Sequence, residues 1–283
     1  MGMRAARLLI GAVLVLGLSA CESVSQKKDP LASNVIDEAN LNQLMLTASD
    51  PQTGVEYFQK ALAKEPDRAD FRRGLARSLE RAQRYNEAAR VFKKLVELGQ
   101  DEPVDRIDYA LVAIHLDHWD VVRSMVARFP DDLKTPRRYM IEAIVADQDK
   151  NWKKADELYA RAVKLSPEPA ALLNNWGVSE MARGDLNAAQ KTFEQAVSYD
   201  STLFSAKNNL AIARGLQGHY TLPLVPLKDK ERAVLLNNLG IIAMRKGDEK
   251  TARGLFAAAV DADPQHYAGA ADKLAALEAN VAY

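Results

Sequence analysis

Small, aliphatic and aromatic residues recur along this chain with a helical spacing, and they predict a series of antiparallel helix pairs. Residues 171–200 give the clearest example. Leu173 and Gly177 are spaced to share one face of a first helix. Ala189 and Phe193 share a face of a second helix in the same way, and Gly184 predicts the turn between the helices. The small residue at Gly177 lets the helices approach, and Phe193 fills the space between them.

The same pattern repeats with a nearly constant period. Going upstream from Phe193, equivalent aromatic or β-branched residues occur at intervals of 33 or 34 residues, at Tyr159, Val126, Phe92 and Phe58. Downstream, Phe256 follows at a few residues less than two periods. A fixed period of this length is typical of solenoids, in which each unit packs only on its neighbours. The predicted fold class is all-α, an α-α superhelix.

The period and the helix-breaking prolines divide the body of the chain into units. The predicted units are residues 35–66, 69–99, 103–130, 136–167, 170–201, 204–230 and 231–264, with a capping helix at 267–279. The sixth unit is incomplete, because Pro223 and Pro226 interrupt its second helix. Residues 221–231 are interpreted either as a shortened connector or as an exposed aliphatic strip that docks a partner.

The first residues have the composition of a bacterial export signal. A basic start precedes an apolar run at residues 8–18, which is too short for a comfortable membrane span. Residues 18–21, LSAC, match the lipobox, in which the cysteine is acylated and the preceding peptide is removed. We therefore predict a lipoprotein signal peptide at residues 1–20 and lipidation of Cys21. The alternative is an ordinary cleaved signal that happens to end in cysteine.

The segment after the signal predicts a tether. Cys21 is the only cysteine of the chain, so it has no intramolecular disulfide partner. Residues 21–34 are polar, contain Pro30 and lack apolar periodicity, which is typical of a flexible linker. Glu22 rather than aspartate follows the cysteine. By analogy with the enterobacterial sorting rule, we expect the lipoprotein at the outer membrane, facing the periplasm.

Charge and motifs give no indication of nucleic acid binding or of catalysis. Lys and Arg number 38, Asp and Glu also number 38, and neither sign forms a long block. The sequence has no phosphate-binding glycine loop, no nucleophile elbow and no zinc-protease or Cys-x-x-Cys motif. His115 and His118 lack an evident third metal ligand. We predict no enzyme activity, no cofactor, no metal and no small-molecule substrate.

Three successive first helices carry an asparagine pair, followed one turn later by an aliphatic residue. These nine residues are Asn174, Asn175, Val178, Asn208, Asn209, Ile212, Asn237, Asn238 and Ile241. First helices line the concave side of such a solenoid, so one asparagine of each pair can face a partner-binding groove. Its amide suits the backbone of an extended peptide. Alternatively, the asparagines hydrogen-bond to the backbones of neighbouring helices as a regular feature of the repeat, and the sequence leaves both interpretations open.

The repeat resembles the tetratricopeptide repeat (TPR), whose typical places are taken here by Trp176, Gly177, Ala189, Phe193 and Ala196. This resemblance covers nearly all of the body of the chain. Combined with the lipobox, it is similar to periplasm-facing bacterial TPR lipoproteins.

A more specific resemblance rests on four short stretches. They are GHYTLP at 218–223, ERA at 231–233, KGD at 246–248 and DPQHY at 263–267. They resemble the TPR lipoproteins associated with tight-adherence (Tad) pilus assembly in alphaproteobacteria, which are thought to assist assembly of the secretin or secretion apparatus. The resemblance implies a membrane-anchored protein–protein interaction scaffold with secretin or secretion-apparatus subunits as partners. Alternatives are a pilotin or outer-membrane protein assembly lipoprotein, or an adaptor that regulates peptidoglycan enzymes or proteases.

Overall fold

The computed structural model describes residues 40–263 and 268–281, and all regular structure within these residues is α-helical. The helices are α1 (residues 40–47), α2 (Pro51–Lys64), α3 (Ala69–Arg81), α4 (Tyr85–Glu97), α5 (Pro103–His115), α6 (Trp119–Val126), α7 (Pro136–Gln148), α8 (Trp152–Leu165), α9 (Ala170–Ala182), α10 (Leu186–Tyr199), α11 (Phe204–Leu216), α12 (Asp229–Arg245), α13 (Glu249–Ala262) and α14 (Ala268–Val281). The predicted all-α solenoid is confirmed. The predicted signal, Cys21, the linker and the junction at 264–267 lie outside the described residues.

The helices form successive pairs along the solenoid. We call the first helix of each unit the A helix (α1, α3, α5, α7, α9, α11 and α12) and the second the B helix (α2, α4, α6, α8, α10 and α13). In units two to five and in the last unit, the A helix packs on its own B helix, and A helices of adjacent units also contact each other, as α7 does α9. The A helices therefore form the inner, concave side, and the B helices form the outer side.

In two of the units, a glycine on the A helix contacts an aromatic ring on the B helix. In the fifth unit, a methyl group at Gly177 would lie 2.6 Å from the ring of Phe193, and Gly240 and Phe256 show the same distance in the last unit. Both rings are almost completely buried. Because the A helix presents no side chain at this point, the ring fills the space between the two helices.

The third unit departs from this packing. Its B helix, α6, has eight residues, and the predicted core residue Val126 is only partly buried. Phe129, which follows the helix, is buried instead. Ion pairs add support at this edge, where Asp101 accepts hydrogen bonds from Arg106 at 2.6 Å and from Arg128 at 3.2 Å. The irregular unit thus keeps the solenoid continuous with a shorter outer helix.

The sixth unit has an A helix but no B helix. Residues 217–228, which we call the connector, run without helix from α11 to α12. Val225 packs against the core of the fifth unit, and Tyr220 and Leu222 pack against the core of the last unit. Leu224 is fully exposed. The connector therefore bridges two hydrophobic cores, and most of its apolar side chains are used for packing.

A buried lysine holds the connector in place. Lys207 on α11 is only 3% exposed. Its ammonium group donates hydrogen bonds to the carbonyl oxygen of Pro226 at 2.8 Å and to the carboxylate of Glu231 at 2.9 Å. Glu231 also accepts a hydrogen bond from the backbone N–H of Lys228 at the start of α12. The buried charge is thereby paired and hydrogen-bonded, as burial requires.

Candidate functional site: a cleft on the concave side

The concave side carries a cleft of about 600 Å³ between α5, α7 and α9. Its apolar walls include, from each of these helices in turn, Leu111 and Ile114, Met140 and Ile144, and Val178 and Ala182. Residues three or four apart on a helix share a face, so each helix contributes one aliphatic stripe to the walls. The cleft is open, concave and mostly apolar, which are the general properties of a binding site.

The polar end of the cleft lies where the A helices end. His115 and Gln148 are the last residues of α5 and α7, and Asp147 precedes Gln148. Lys150 follows in the tight turn after α7, in a left-handed conformation with φ of 56°. The cleft therefore has aliphatic walls and one end at which charged and amide groups converge.

Asp147 is held firmly at this end. Its Oδ1 accepts a hydrogen bond from the Ser179 hydroxyl on α9 at 2.7 Å, and its Oδ2 accepts one from the Tyr159 hydroxyl on α8 at 3.1 Å. Burial raises the pKa of the Asp147 carboxyl above its usual value, while these two hydrogen bonds and the charge of Arg183 oppose the shift. Burial and the adjacent carboxylate also raise the pKa of Tyr159, so its hydroxyl keeps its proton and remains a donor.

Aromatic and charged side chains of α8 and α9 pack against one another behind the cleft. The rings of Tyr159 and Trp176 stack with centroids 6.2 Å apart. The indole N–H of Trp176 donates to Asp156 at 2.8 Å, and Arg183 donates to the same carboxylate at 3.0 Å. These contacts join α8 to α9, so the back of the cleft is fixed before any partner binds.

A second, more polar hollow of about 510 Å³ adjoins the cleft on the side of the first units. His115 lines both spaces and stacks on Tyr85, with ring centroids 4.3 Å apart. Arg77, Glu80 and Arg137 also line this hollow. The concave side is therefore continuous from a charged hollow to an apolar cleft.

Paired charges build the wall of the charged hollow. Asp108 on α5 is 3% exposed. It accepts a hydrogen bond from Arg77 at 2.9 Å and forms an ion pair with Arg137 at 2.8 Å. Burial, followed by the repulsion of Asp108, raises the pKa of Glu80 to about 7, although Arg137 and Arg77 oppose this. Three A helices are thus connected through one buried carboxylate.

The predicted asparagines form a ladder of amide contacts between the last A helices. Asn209 donates to the side-chain oxygen of Asn174 at 2.9 Å, and Asn238 donates to that of Asn208 at 2.8 Å. Asn174 and Asn237 are only 9% and 7% exposed. These four amides therefore bond to one another across neighbouring helices, through their side chains.

Two of the nine predicted groove residues line the cleft, Asn175 and Val178. Asn175 donates to the sulfur of Met140 at 3.2 Å, and Val178 is 40% exposed on the wall. The remaining seven are not among its lining residues: Asn174, Asn208, Asn209, Ile212, Asn237, Asn238 and Ile241. Ile212 and Ile241 are partly buried. For these seven, partner binding stays a prediction, and the cleft lies two units closer to the start of the chain.

The asparagine pattern in the sequence gave no indication of the contributions of α5 and α7 to the cleft. Ile144 and Leu111 lie about one and two periods before Val178. Counting back from Val178 by one and by two repeat periods leads to these two residues. Asp147 carried no such signal, because its role depends on donors from two other helices.

The part of the chain that the structure describes contains no candidate metal site and no candidate membrane-spanning helix. Within residues 40–263 and 268–281, no group of three or more His, Cys, Asp or Glu residues is arranged to hold a metal ion. His115 stacks on Tyr85, and His118 is exposed at the start of α6. In the same ranges, every helix is too short or too polar to cross a lipid bilayer.

The helix pairs with their concave cleft define a helical-repeat solenoid, the architecture of protein-binding scaffolds. Within this solenoid, residues 45–113 match the family model described as "Tetratricopeptide repeat". Among curated protein sequences, no match was found.

Solved structures with similar folds include a bacterial TPR protein and a pilus biogenesis factor. A tetratricopeptide repeat protein from Parabacteroides merdae ATCC 43184 has a TM-score of 0.55 and 12% identity, covering 88% of this chain and 96% of that one. PilW, described as a widely conserved type IV pilus biogenesis factor, has a TM-score of 0.54 and 14% identity, covering 73% and 98%. The APC/C hetero-tetramer Cut9-Hcn1 has a TM-score of 0.56 and 16% identity over 83% of this chain, which spans 48% of that one. At these identities the likeness concerns the fold.

Proposed function

We propose that this protein is a non-catalytic scaffold that binds an extended segment of a protein partner in its concave cleft. The observation that carries the proposal is the cleft of about 600 Å³ itself, with three aliphatic stripes and one polar end. Aliphatic stripes at regular spacing suit alternate side chains of an extended segment, and the polar groups suit its main chain or a charged side chain.

We place this scaffold at the cell envelope, anchored to the periplasmic face of the outer membrane. The lipobox ending in Cys21 supports this part of the proposal. Two or more acyl chains on one cysteine give stable membrane attachment, whereas a single chain is marginal. We expect Cys21→Ser to abolish incorporation of labelled palmitate and to move the protein out of the membrane fraction. Palmitate entering the Cys21→Ser chain would contradict the anchor.

The partner we propose is a secretin or another subunit of a Tad-type pilus or secretion apparatus. The stretches at 218–223 and 263–267, which resemble Tad-associated TPR lipoproteins, support it. PilW, a type IV pilus biogenesis factor, is built on a similar fold. That likeness is one of fold, so the pilus assignment rests on the sequence resemblance.

A pair of matched substitutions in the full chain tests the role of the cleft. Val178→Glu puts a charge on the cleft wall, where the valine is 40% exposed, and Leu165→Glu puts one at the outer end of α8, where the leucine is 47% exposed. We expect Val178→Glu to weaken capture of the partner by about tenfold or more, since an unpaired charge would be buried under the bound segment. Leu165→Glu should leave capture unchanged.

Capture is measured by crosslinking in the producing cells, followed by identification of the crosslinked protein, with thermal melts as a check on folding. A secretin or secretion-apparatus subunit supports the Tad assignment. A β-barrel assembly subunit or a peptidoglycan hydrolase would replace it with the pilotin or adaptor alternative. Equal capture by both variants and the unsubstituted chain would overturn the cleft as the binding site.

A further inference from the structure

We propose that the cleft recognises a cationic side chain, lysine or arginine, flanked by aliphatic residues in the bound segment, with Asp147 as the anionic anchor. The inference rests on the proposed function and names the chemistry of the partner segment. It also gives the polar end of the cleft a specific role.

The hydrogen bonding of Asp147 leaves room for a cation. Each carboxylate oxygen accepts one hydrogen bond, from Ser179 at 2.7 Å and from Tyr159 at 3.1 Å. An ionised carboxylate can accept about four, so each oxygen retains accepting capacity. The two donors are themselves buried, at 7% and 2% exposure, and they fix the orientation of the carboxylate. A cation entering the cleft therefore meets an acceptor that is already oriented.

The helix ends around Asp147 favour positive charge. The helices α5, α7 and α9 all end at the polar end of the cleft, with His115, Gln148 and Ala182 as their last residues. The carbonyl groups of a helix C-terminus carry partial negative charge, which stabilises nearby cations. Three such ends converge here, in addition to the carboxylate.

Two of the basic side chains near Asp147, Arg183 and His115, make contacts with other residues. Arg183 pairs with Asp156 at 3.0 Å and lies 3.9 Å from Glu180. His115 is stacked on Tyr85. Lys150 is exposed and lines the cleft, and its charge, together with that of Arg183 near Asp147, opposes binding of a further cation. Burial of Asp147, which raises its pKa, also strengthens its attraction to a cation that excludes water.

The aliphatic walls suit the rest of a lysine or arginine side chain. The methylene stems of these residues pack along apolar surfaces while the charged group reaches a polar site. Met140 and Ile144 form the wall leading to Asp147 on the same face of α7. A neutral residue of the same length would keep the wall contacts and lose only the anchor.

This difference allows a direct test with defined probes. The probes are dye-labelled peptides, acetylated and amidated, in which leucines flank lysine, norleucine or glutamate. Binding to the full chain is followed by fluorescence anisotropy. We expect the lysine peptide to bind about 10- to 100-fold more tightly than the norleucine peptide, because hydrogen bonds to charged groups are strong. The glutamate peptide should bind most weakly, and added salt should weaken only the lysine peptide's advantage.

Matched variants connect the preference to Asp147. Asp147→Asn should remove the advantage of lysine over norleucine, whereas Asp149→Asn should keep it. Asp149 is the control because it has the same charge, follows α7 on the exposed surface and pairs there with Arg123. Lys150→Glu adds an acidic group without touching the hydrogen bonds of Asp147, and it should tighten the lysine peptide. It serves as a second test if Asp147→Asn lowers the melting temperature strongly.

The outcomes separate the inference from the proposed function. Equal binding of the lysine and norleucine peptides, or an advantage that survives Asp147→Asn, would overturn the cationic anchor and leave the cleft as a binding site. Failure of every peptide to bind would contradict both. A lysine advantage that is lost in Asp147→Asn and kept in Asp149→Asn supports the inference.

Discussion

The concave side is built from charges in its first half and from amides in its second, although the A helices occupy equivalent positions in both. Between α3 and α5, Arg73 donates to Asp105 at 2.8 Å and Arg77 to Asp108 at 2.9 Å. Between α9, α11 and α12, asparagine side chains bond to one another at 2.8 to 2.9 Å. The cleft lies between these halves, where Ser179 on α9 bonds to Asp147 on α7.

The repeat period therefore determines where the helices lie, whereas the polar contacts between A helices differ from one half of the molecule to the other. Buried ion pairs must offset the cost of removing two charges from water, and they respond to pH. Amide pairs have a small net contribution and do not titrate. The two halves should therefore differ in how they respond to substitution and to pH, even though they share one packing scheme.

The largest effect is expected from substitutions of the buried phenylalanines, which test the packing scheme that the two halves share. Phe193→Ala and Phe92→Ala each remove a fully buried ring, one from each half. We expect each to lower the free energy of unfolding by roughly 3 to 5 kcal/mol. Since solenoid units contact only their neighbours, hydrogen exchange should show loosening around units four to six for Phe193→Ala and around units one to three for Phe92→Ala. Uniform loosening by either variant over the described residues would contradict a linear array.

The fold was largely predictable because its determinants repeat. A glycine on one helix and an aromatic ring on the next recur at the same separation, as Gly177 and Phe193 do, and their contact lies within one unit. The broken sixth unit was also readable, since Pro223 and Pro226 exclude a helix there. The hydrogen bonds of Lys207 to Pro226 and Glu231 could not be predicted, because the sequence does not distinguish a buried lysine in a helix from a surface lysine.

The site was less predictable, because its determinants cross between units. The asparagine pairs were visible, but whether an amide faces a partner or another asparagine depends on the rotation between successive units. The pairing of Arg77 with Asp108 spans 31 residues and follows no repeat. Asp147 becomes an anchor only because donors arrive from two other helices. Side-chain contacts of this kind need the packed structure.

A charge substitution in the second half tests how the broken period is compensated. Lys207→Met keeps the length of the side chain but leaves the buried side of Glu231 and the carbonyl of Pro226 without their ammonium donor. We expect a loss of about 3 kcal/mol in a denaturant titration, and faster proteolysis within the connector. Lys230→Met, an exposed neighbour, is the control and should change little. Full stability of Lys207→Met would show that packing alone holds the connector.

A pH titration separates the charged half from the amide half. The pKa of Glu80 is raised to about 7 in the folded chain, so between about pH 4.5 and 7 the folded chain holds a proton that the unfolded chain has released. Raising the pH through this window therefore favours unfolding, by up to about 3 kcal/mol. Glu80→Gln should remove this part of the decline, and the exposed Glu157→Gln should not. Identical pH profiles for all three chains would contradict the shift.

The smallest effect per residue concerns the amide ladder, and it decides between the two interpretations of the asparagines. Each side-chain pair contributes about 1 kcal/mol, so Asn209→Ala or Asn238→Ala should lower the melting temperature by roughly 2 to 4 °C. Conversion of all six asparagines to alanine should lower it further. Partner capture by the folded fraction should fall only where Asn175, the asparagine in the cleft, is replaced. Exposed Asn187→Ala is the control for the melt. Weakened capture by Asn209→Ala or Asn238→Ala at unchanged melting temperature would instead extend the binding surface along the ladder to the last units.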